Sequence, residues 1–321
     1  MQTKMPELPE VETIKIGLQK AIVGLEITDV RVLSEKNFVG NPKDIVGGTV
    51  KSVDRRAKIL IIKVARSQKP EAGFILIHLK MTGQLIHKLK INPPAGGEKL
   101  KVKDEKHSPY DIEQLPNKYT RVIISFDNGG KLYFNDLRKF GWVKIVKSEK
   151  LKVKNNEEKI KSNKFENLDE IIGVRYGPEP FNKEFTVDYL KEILSNWGRP
   201  VKLLLMDQKK IAGIGNIYAN EALFCAGIAP HHRGRELVKD HPEKIKKLYY
   251  CIKRILREAI KFGGSTASDD AYRNVKGEKG KMQERLKVYG RAGKKCFQCG
   301  KTIKRMALGG RGTFFCPKCQ R

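Results

Sequence analysis

The chain has 321 residues with 65 Lys or Arg against 36 Asp or Glu, a formal net charge of +29. Acidic residues are present in normal numbers, so the excess is lysine and arginine added to an ordinary globular background. A polyanion partner, nucleic acid before an anionic membrane surface or a ribosomal partner, explains that field most simply, because each neutralised phosphate releases counterions. The length allows two or three domains with a sizeable core. No run of about 18 apolar residues occurs and no signal peptide precedes the first helix, which excludes a membrane span and predicts a cytoplasmic protein. Six cysteines in a reducing compartment then point to metal or catalysis before disulfides.

The opening "MQTKMPELPE" holds two methionines, and what Pro6 is depends on where translation begins. Behind Met1 its nitrogen is a planar amide; after a start at Met5 and trimming it is a free secondary amine. "PEVETIKIGLQKAIVG" predicts a helix with Pro9 at its first position, Glu10 and Glu12 at the positive end of the dipole and Gly24 as its stop. Val11, Ile14, Leu18 and Ile22 give it one buried face.

The period then changes. "LEITDVRVL", "GTVKSVD", "KILIIKVA", "GFILIHLKM", "RVIISFD", "KLYFND" and "WVKIV" are short β-branched or alternating runs, which predict an antiparallel sandwich or barrel. The stretch from Ile91 to Lys118 interrupts them as a long surface loop or insertion. Leu151 to Asn167, mostly Lys, Asn and Glu, predicts a linker. "KEFTVDYLKEIL", "RPVKLLLMDQ", "NIYANEALFCAG" and "PEKIKKLYYCIKRILREAIKFGG" make the second half helical. Leu286 to Arg321 holds ten Lys or Arg and no Asp or Glu, the most basic part of the chain. The reading is α+β and multidomain: a β-sandwich domain over 1–150, a linker over 151–182, a helical domain over 183–285 and a terminal unit over 286–321.

Within that unit, Cys296 and Cys299 are followed after sixteen residues by Cys316 and Cys319. Two such pairs supply four thiolates to one zinc ion, in a closed site with no open position for catalysis. A segment of about 36 residues has too little apolar mass to fold alone, so the metal supplies most of its folding energy. "LGGRGTFF" places Arg311 among glycines on a hairpin turn, where a guanidinium can fork onto a phosphate or simply be solvated. Gly213-Ile214-Gly215-Asn216 before a helix reads either as a cap or as an anion site with Asn216 donating. "RRAK", ending in Lys58, is read as the beginning of a strand. Arg138 and Phe140 lie two apart at a strand end, where they either share a face as a finger and wedge for a duplex or are a surface arginine beside a core phenylalanine.

Together the Pro-Glu-Leu-Pro-Glu start, "RRAK", "HLKMTG", "DLRKFG", "GIGNIYANEALF", "GIAPH", "VYGR" and the paired C-x-x-C with "RGTFFCPKCQ" closely resemble the bacterial formamidopyrimidine-DNA glycosylase family. The resemblance runs from Pro6 to Arg321, apart from the insertion and the lysine-rich linker. It implies a sandwich domain, a helix-two-turn-helix domain and a zinc finger. It also implies a monomeric enzyme at the nucleoid that removes 8-oxoguanine and formamidopyrimidines from duplex DNA and nicks the backbone at abasic sites by β,δ-elimination. By motif, Pro6 would attack C1′ to give an iminium, a role suited to an α-amine with a pKa near 8. Glu7 would handle protons at the ring oxygen, with Glu10 supporting it.

The same likeness assigns Lys58, Asn216 and Arg311 to the phosphates around the extruded nucleotide, and Met81, Arg138 and Phe140 to the gap it leaves. Gly263 to Gly280 would be a loop over the damaged base. Tyr119 stands where many relatives carry a phosphate-contacting histidine. Cys225 and Cys251 match nothing and read as small buried hydrophobes. An endonuclease VIII-like enzyme acting on oxidised pyrimidines and a catalytically silent damage-binding homologue are the alternatives; Leu8 argues against the first, and an internal Pro6 would favour the second.

Overall fold

The structure is a computed structural model that describes residues 5–66, 69–89, 114–147, 164–266 and 272–321. Residues 1–4, nearly all of the 91–118 insertion, residues 151–163 of the lysine-rich linker and five residues of the glycine-flanked loop lie outside the described residues.

Helix α1 spans Leu8–Ile22, with Pro9 at its second position, and buries Leu8, Val11, Ile14, Leu18 and Ile22. That stripe shares a core with two sheets. One sheet has the order β1 (Ile27–Val32), β7 (Thr120–Phe126), β8 (Lys131–Asp136), β6 (Gly83–Lys88). The other has the order β2 (Phe38–Val39), β9 (Trp142–Lys147), β5 (Lys69–His78), β4 (Ile59–Arg66), β3 (Thr49–Arg56). All pairings are antiparallel except the two-residue contact of β2 with β9. Leu85, Val122, Ile124, Leu132 and Phe134 of the first sheet and Val53, Leu60, Ile62, Ile75, Ile77 and Val143 of the second form the sandwich interior.

The second sheet also buries its outer face. Ile59, Ile61, Phe74 and Leu76 lie against Leu168 and Ile172 of α2 (Lys164–Ile172). Burial on both faces is why β4 reads as a continuous apolar run instead of alternating. Helix α2 also corrects the linker reading, because the described end of that segment is a helix docked on the sandwich.

The helical unit contains α3 (Val187–Ser195), α4 (Val201–Met206), α5 (Asn216–Ala226), α6 (Gly234–Asp240) and α7 (Pro242–Lys261). Helix α5 is buried along nearly its whole length and therefore runs through the middle of the unit. The hairpin β10 (Lys304–Leu308) and β11 (Arg311–Phe315) joins the same core through Phe314, which meets the Tyr289 ring edge-on at 5.0 Å. The chain after residue 271 crosses back to the sandwich: Tyr272 and Val275 enter its core, and the His87 amide donates to the Val275 carbonyl at 2.8 Å. Gly17 on α1 makes room for this crossing, since a Cβ there would sit 2.4 Å from Val275 Cγ2.

Cys225 of α5 and Cys251 of α7 are joined as a disulfide, with Cα atoms 5.8 Å apart. This corrects their reading as separate buried hydrophobes. The two helices pack side by side at bridging distance, a proximity between residues 26 apart in sequence that no local pattern encodes.

Candidate functional site

Glu7 is the N-cap of α1, and its side chain reaches the first turn of another helix. Its carboxylate accepts from the backbone N–H of Gly215 at 2.8 Å, Ile217 at 2.7 Å and Tyr218 at 3.3 Å, so one residue serves the N-termini of both α1 and α5. Leu8 adds a backbone bond to the Gly213 carbonyl at 3.0 Å. The glycines of Gly213-Ile214-Gly215 permit this approach. Gly213 has φ +92°, and a Cβ on Gly215 would lie 2.3 Å from the Glu7 carboxyl carbon. The anion at these helix-start N–H groups is therefore the protein's own Glu7, so of the two readings of the glycine motif the structure gives a capped helix, with the cap supplied from α1.

Behind Glu7, the Glu10 carboxylate accepts from Glu7 N at 2.9 Å, Ser265 N at 2.8 Å and the Tyr218 hydroxyl. Burial pushes Glu10 up to about 7, with the Glu7 charge next in effect and the three donors opposing. Burial also raises Glu7, against the Lys58 charge. Lys58 is lowered by burial, with Glu7 and Glu10 opposing. These groups share charge in a site where only part of it can be ionised cheaply.

A cavity of about 640 Å³ opens beside this group. Its lining brings together Glu7, Lys58, Met81, Arg138, Phe140, Asn216 and Arg311. Pro6 is buried, and its two neighbours, Met5 and Glu7, both line the cavity. Tyr119 is not part of the lining; it sits immediately before β7, where its carbonyl accepts from Asp136 N at 2.9 Å.

Lys58 does not begin a strand. Arg55 and Arg56 close β3, β4 starts at Ile59, and Lys58 lies in the turn between them after Ala57 with φ +53°. Nor do Arg138 and Phe140 share a strand face, because β8 ends at Asp136 and both belong to the following turn. Buried Asp136 builds that turn by accepting from Gly141 N at 2.7 Å and Arg138 N at 3.2 Å, and from the Thr82 hydroxyl. The Arg138 guanidinium lies 4.9 Å from the Phe140 ring centre and donates toward Met81 Sδ at 3.6 Å, so the three side chains form one projecting group.

Sequence reasoning missed Gln208 and Lys202. Gln208 lines the cavity and clamps the bend before α5, donating to Ile214 O at 2.8 Å and accepting from Gly213 N at 2.9 Å. Lys202 is fully buried and donates to Thr313 Oγ1 at 2.7 Å and Gly312 O at 3.2 Å, which ties α4 to the hairpin beside Arg311. Burial lowers its amine to about 8. The only signal for either was its place in "PVKLLLMDQ", where a single lysine interrupts an apolar helix.

Arg311 follows the Gly309-Gly310 turn, whose φ values of +56° and +72° suit a tight hairpin. The hairpin leads into Cys316 and Cys319, and the Sγ atoms of Cys296, Cys299, Cys316 and Cys319 lie within 4.8 Å of one another. A zinc–sulfur bond of about 2.3 Å in tetrahedral geometry requires sulfurs about 3.8 Å apart. The Cys296–Cys319 and Cys299–Cys316 separations are 3.9 Å and 3.4 Å, so the four cysteines fit one zinc ion. Among the described residues no other His, Cys, Asp or Glu group has such a spacing, and no helix is long and apolar enough to cross a membrane.

Three stretches match known domain families: the formamidopyrimidine-DNA glycosylase N-terminal domain over residues 5–143, its H2TH domain over 176–271, and the zinc finger found in FPG and IleRS over 293–321. A formamidopyrimidine-DNA glycosylase of Acaryochloris marina is 35% identical over 325 residues, covering 98% of this chain and 99% of the relative. The Lactococcus lactis Fpg, solved in complex with DNA containing an abasic site, is 30% identical with a TM-score of 0.76 over 98% of this chain and 99% of its own. The MutM (Fpg) protein of Thermus thermophilus is 32% identical with a TM-score of 0.75 over 98% of each chain.

The raised Glu10 pKa fixes a sign. Its folded value, about 7, exceeds its ordinary 4.5, so its contribution to stability is complete below pH 4.5 and lost as pH rises through about 7. The full loss is about 3 kcal/mol. Urea unfolding between pH 5 and 8 should show stability falling with pH more steeply in the parent protein than in Glu10→Gln; parallel curves would show that Glu10 titrates normally in the fold.

Proposed function

The chain belongs to the formamidopyrimidine-DNA glycosylase family, the DNA glycosylases of base excision repair, and on that premise we propose that it excises oxidised purines, chiefly 8-oxoguanine and formamidopyrimidines, from duplex DNA and nicks the backbone by β,δ-elimination. The observation that carries this reading is convergence: residues from six separate turns and helix starts line one cavity next to Pro6.

Pro6 acts as nucleophile once Met5 is removed. As a terminal secondary amine it has a lone pair for attack on C1′, whereas an amide nitrogen delocalises that pair into the carbonyl. Glu7 lies beside it with a raised pKa and can hold or release a proton at the deoxyribose ring oxygen. Glu10 supports Glu7 by accepting its backbone N–H. Lys58, Asn216 and Arg311 supply positive or donating groups to the phosphates flanking the extruded nucleotide, and Tyr119 has a hydroxyl for the same strand from farther out. Met81, Arg138 and Phe140 enter the stack, with Arg138 addressing the widowed cytosine. Extrusion costs a few kcal/mol, which such a plug offsets. The zinc ion holds the hairpin that carries Arg311 and takes no part in bond breaking.

The direct test is cleavage of two duplexes, one with 8-oxoguanine opposite cytosine and one with thymine glycol. The first should be cut faster; the reverse order would overturn the purine assignment. Within the same assay, Arg138→Ala or Phe140→Ala should slow 8-oxoguanine processing at least about tenfold more than processing of a pre-formed abasic site, which has no base left to extrude. Equal losses would assign these residues to packing.

Removing zinc, or replacing Cys316 by Ser, should abolish DNA binding while leaving the β-sandwich folded, since the finger depends on its metal and carries Arg311. Fluorescence anisotropy with a damaged duplex, paired with a zinc assay, measures this. Unchanged affinity after verified loss of the metal would contradict it.

A further inference from the structure

The "RRAK" turn presents only Lys58 to the cavity, and its two arginines point elsewhere. Arg56 is buried on Asp169, at 2.7 Å and 3.0 Å, on the Tyr176 carbonyl at 3.0 Å, and more loosely on Glu179 Oε1 at 3.5 Å. Arg55 donates to Glu12 at 2.8 Å, to Glu179 Oε2 at 2.7 Å and to the Ala57 carbonyl at 2.8 Å. Glu179, only 2% exposed, completes the set with its other oxygen, which accepts from the Ala57 backbone N–H at 2.7 Å.

That last bond bears on the reaction. Ala57 holds φ +53°, a left-handed conformation that a residue with a Cβ adopts only when its surroundings enforce it. Glu179 and Arg55 grip the N–H and C=O of this one residue, and Lys58 is the next along the chain. Releasing the grip lets the turn relax toward ordinary φ, and the Lys58 side chain leaves with it. We propose that Glu179 is a positioning residue for the reaction, holding the strained Ala57 so that the Lys58 amine stays in the cavity. Glu179 is not itself part of the cavity lining. The proposal rests on the reading of Lys58 as a phosphate-gripping group. The plain alternative is a buried ion cluster that only stabilises the fold.

Single-turnover cleavage of an abasic-site duplex separates the two with a double-mutant cycle on the zinc-loaded protein. In Glu179→Gln the amide oxygen can accept from one donor, and the amide NH₂ meets the other, so either Ala57 N–H or Arg55 loses its partner. Glu179→Gln and Lys58→Ala should each slow cleavage about tenfold. The double variant should be no slower than Lys58→Ala alone. Asp169→Asn weakens the same buried cluster at Arg56 and the Tyr176 N–H without touching Glu179 or Ala57, and should lower the melting temperature while leaving the rate within about twofold. If Glu179→Gln does not fold, Glu179→Asp keeps a charge beside Arg55, falls short of Ala57, and should show the same non-additive loss. Losses that multiply in the double variant, or an Asp169→Asn rate as low as that of Glu179→Gln, would overturn the proposal. A normal rate for Lys58→Ala with a persistent Glu179 effect would instead overturn the Lys58 reading.

Discussion

Three backbone N–H groups at the start of α5 converge on the carboxylate of Glu7, a residue more than 200 positions earlier in the chain. The bonds are charge-assisted, buried and aligned with the positive end of a helix dipole, which makes them among the stronger contacts a side chain can offer. Because Glu7 also starts α1, the two halves of the molecule are registered at one residue, and Pro6 is fixed by being adjacent to it. Glu10, held by Ser265 N and the Tyr218 hydroxyl, repeats the device one turn deeper. The rest of the site depends on this register, since Lys58 comes from the sandwich side and Asn216 and Arg311 from the helical side of one cavity.

The hairpin shows the same economy. Lys202 and Asn220, both buried in the helical unit, bond to Thr313 Oγ1 at 2.7 Å and Phe314 N at 2.8 Å, so Arg311 is aimed from beneath by α4 and α5. The four cysteines that fit one zinc ion close the far end of the same hairpin. Arg311 is thus fixed at both ends, although nothing in the short finger could form a core of its own.

Much of the fold was legible in local pattern. The period of α1, the turn-bounded strands and the two cysteine pairs each report one constraint acting within a short window. Strand β6 was not legible: "GQLIHK" is buried at its first four positions and does not alternate. Helix α2 sits in a lysine-rich stretch whose composition resembles a linker, and its docking depends on two apolar residues meeting the outside of a distant sheet. In the site, residue identities were legible and the supporting geometry was not. The glycines before α5 were read either as a cap or as an anion site, and what fills their space, Glu7 and Leu8, comes from the far end of the sequence. Arg55 and Arg56 add to the basic count yet spend their charge on Glu12, Asp169 and Glu179, so net charge overstates what faces a polyanion. Such pairings join residues far apart in sequence, and no window-based pattern contains them.

The proposed function requires this architecture to hold an amine at position 6 against C1′ of a damaged nucleotide. Borohydride reduction during reaction with an 8-oxoguanine duplex tests it most directly, because it converts a protein–DNA iminium into a stable covalent adduct. Two forms of the protein, one beginning at Pro6 and one retaining Met1, would be compared after their N-termini are verified by mass. The account predicts an adduct at Pro6 in the first form and none in the second. Equal trapping through Pro6 in both forms, or trapping only at a lysine, would contradict it.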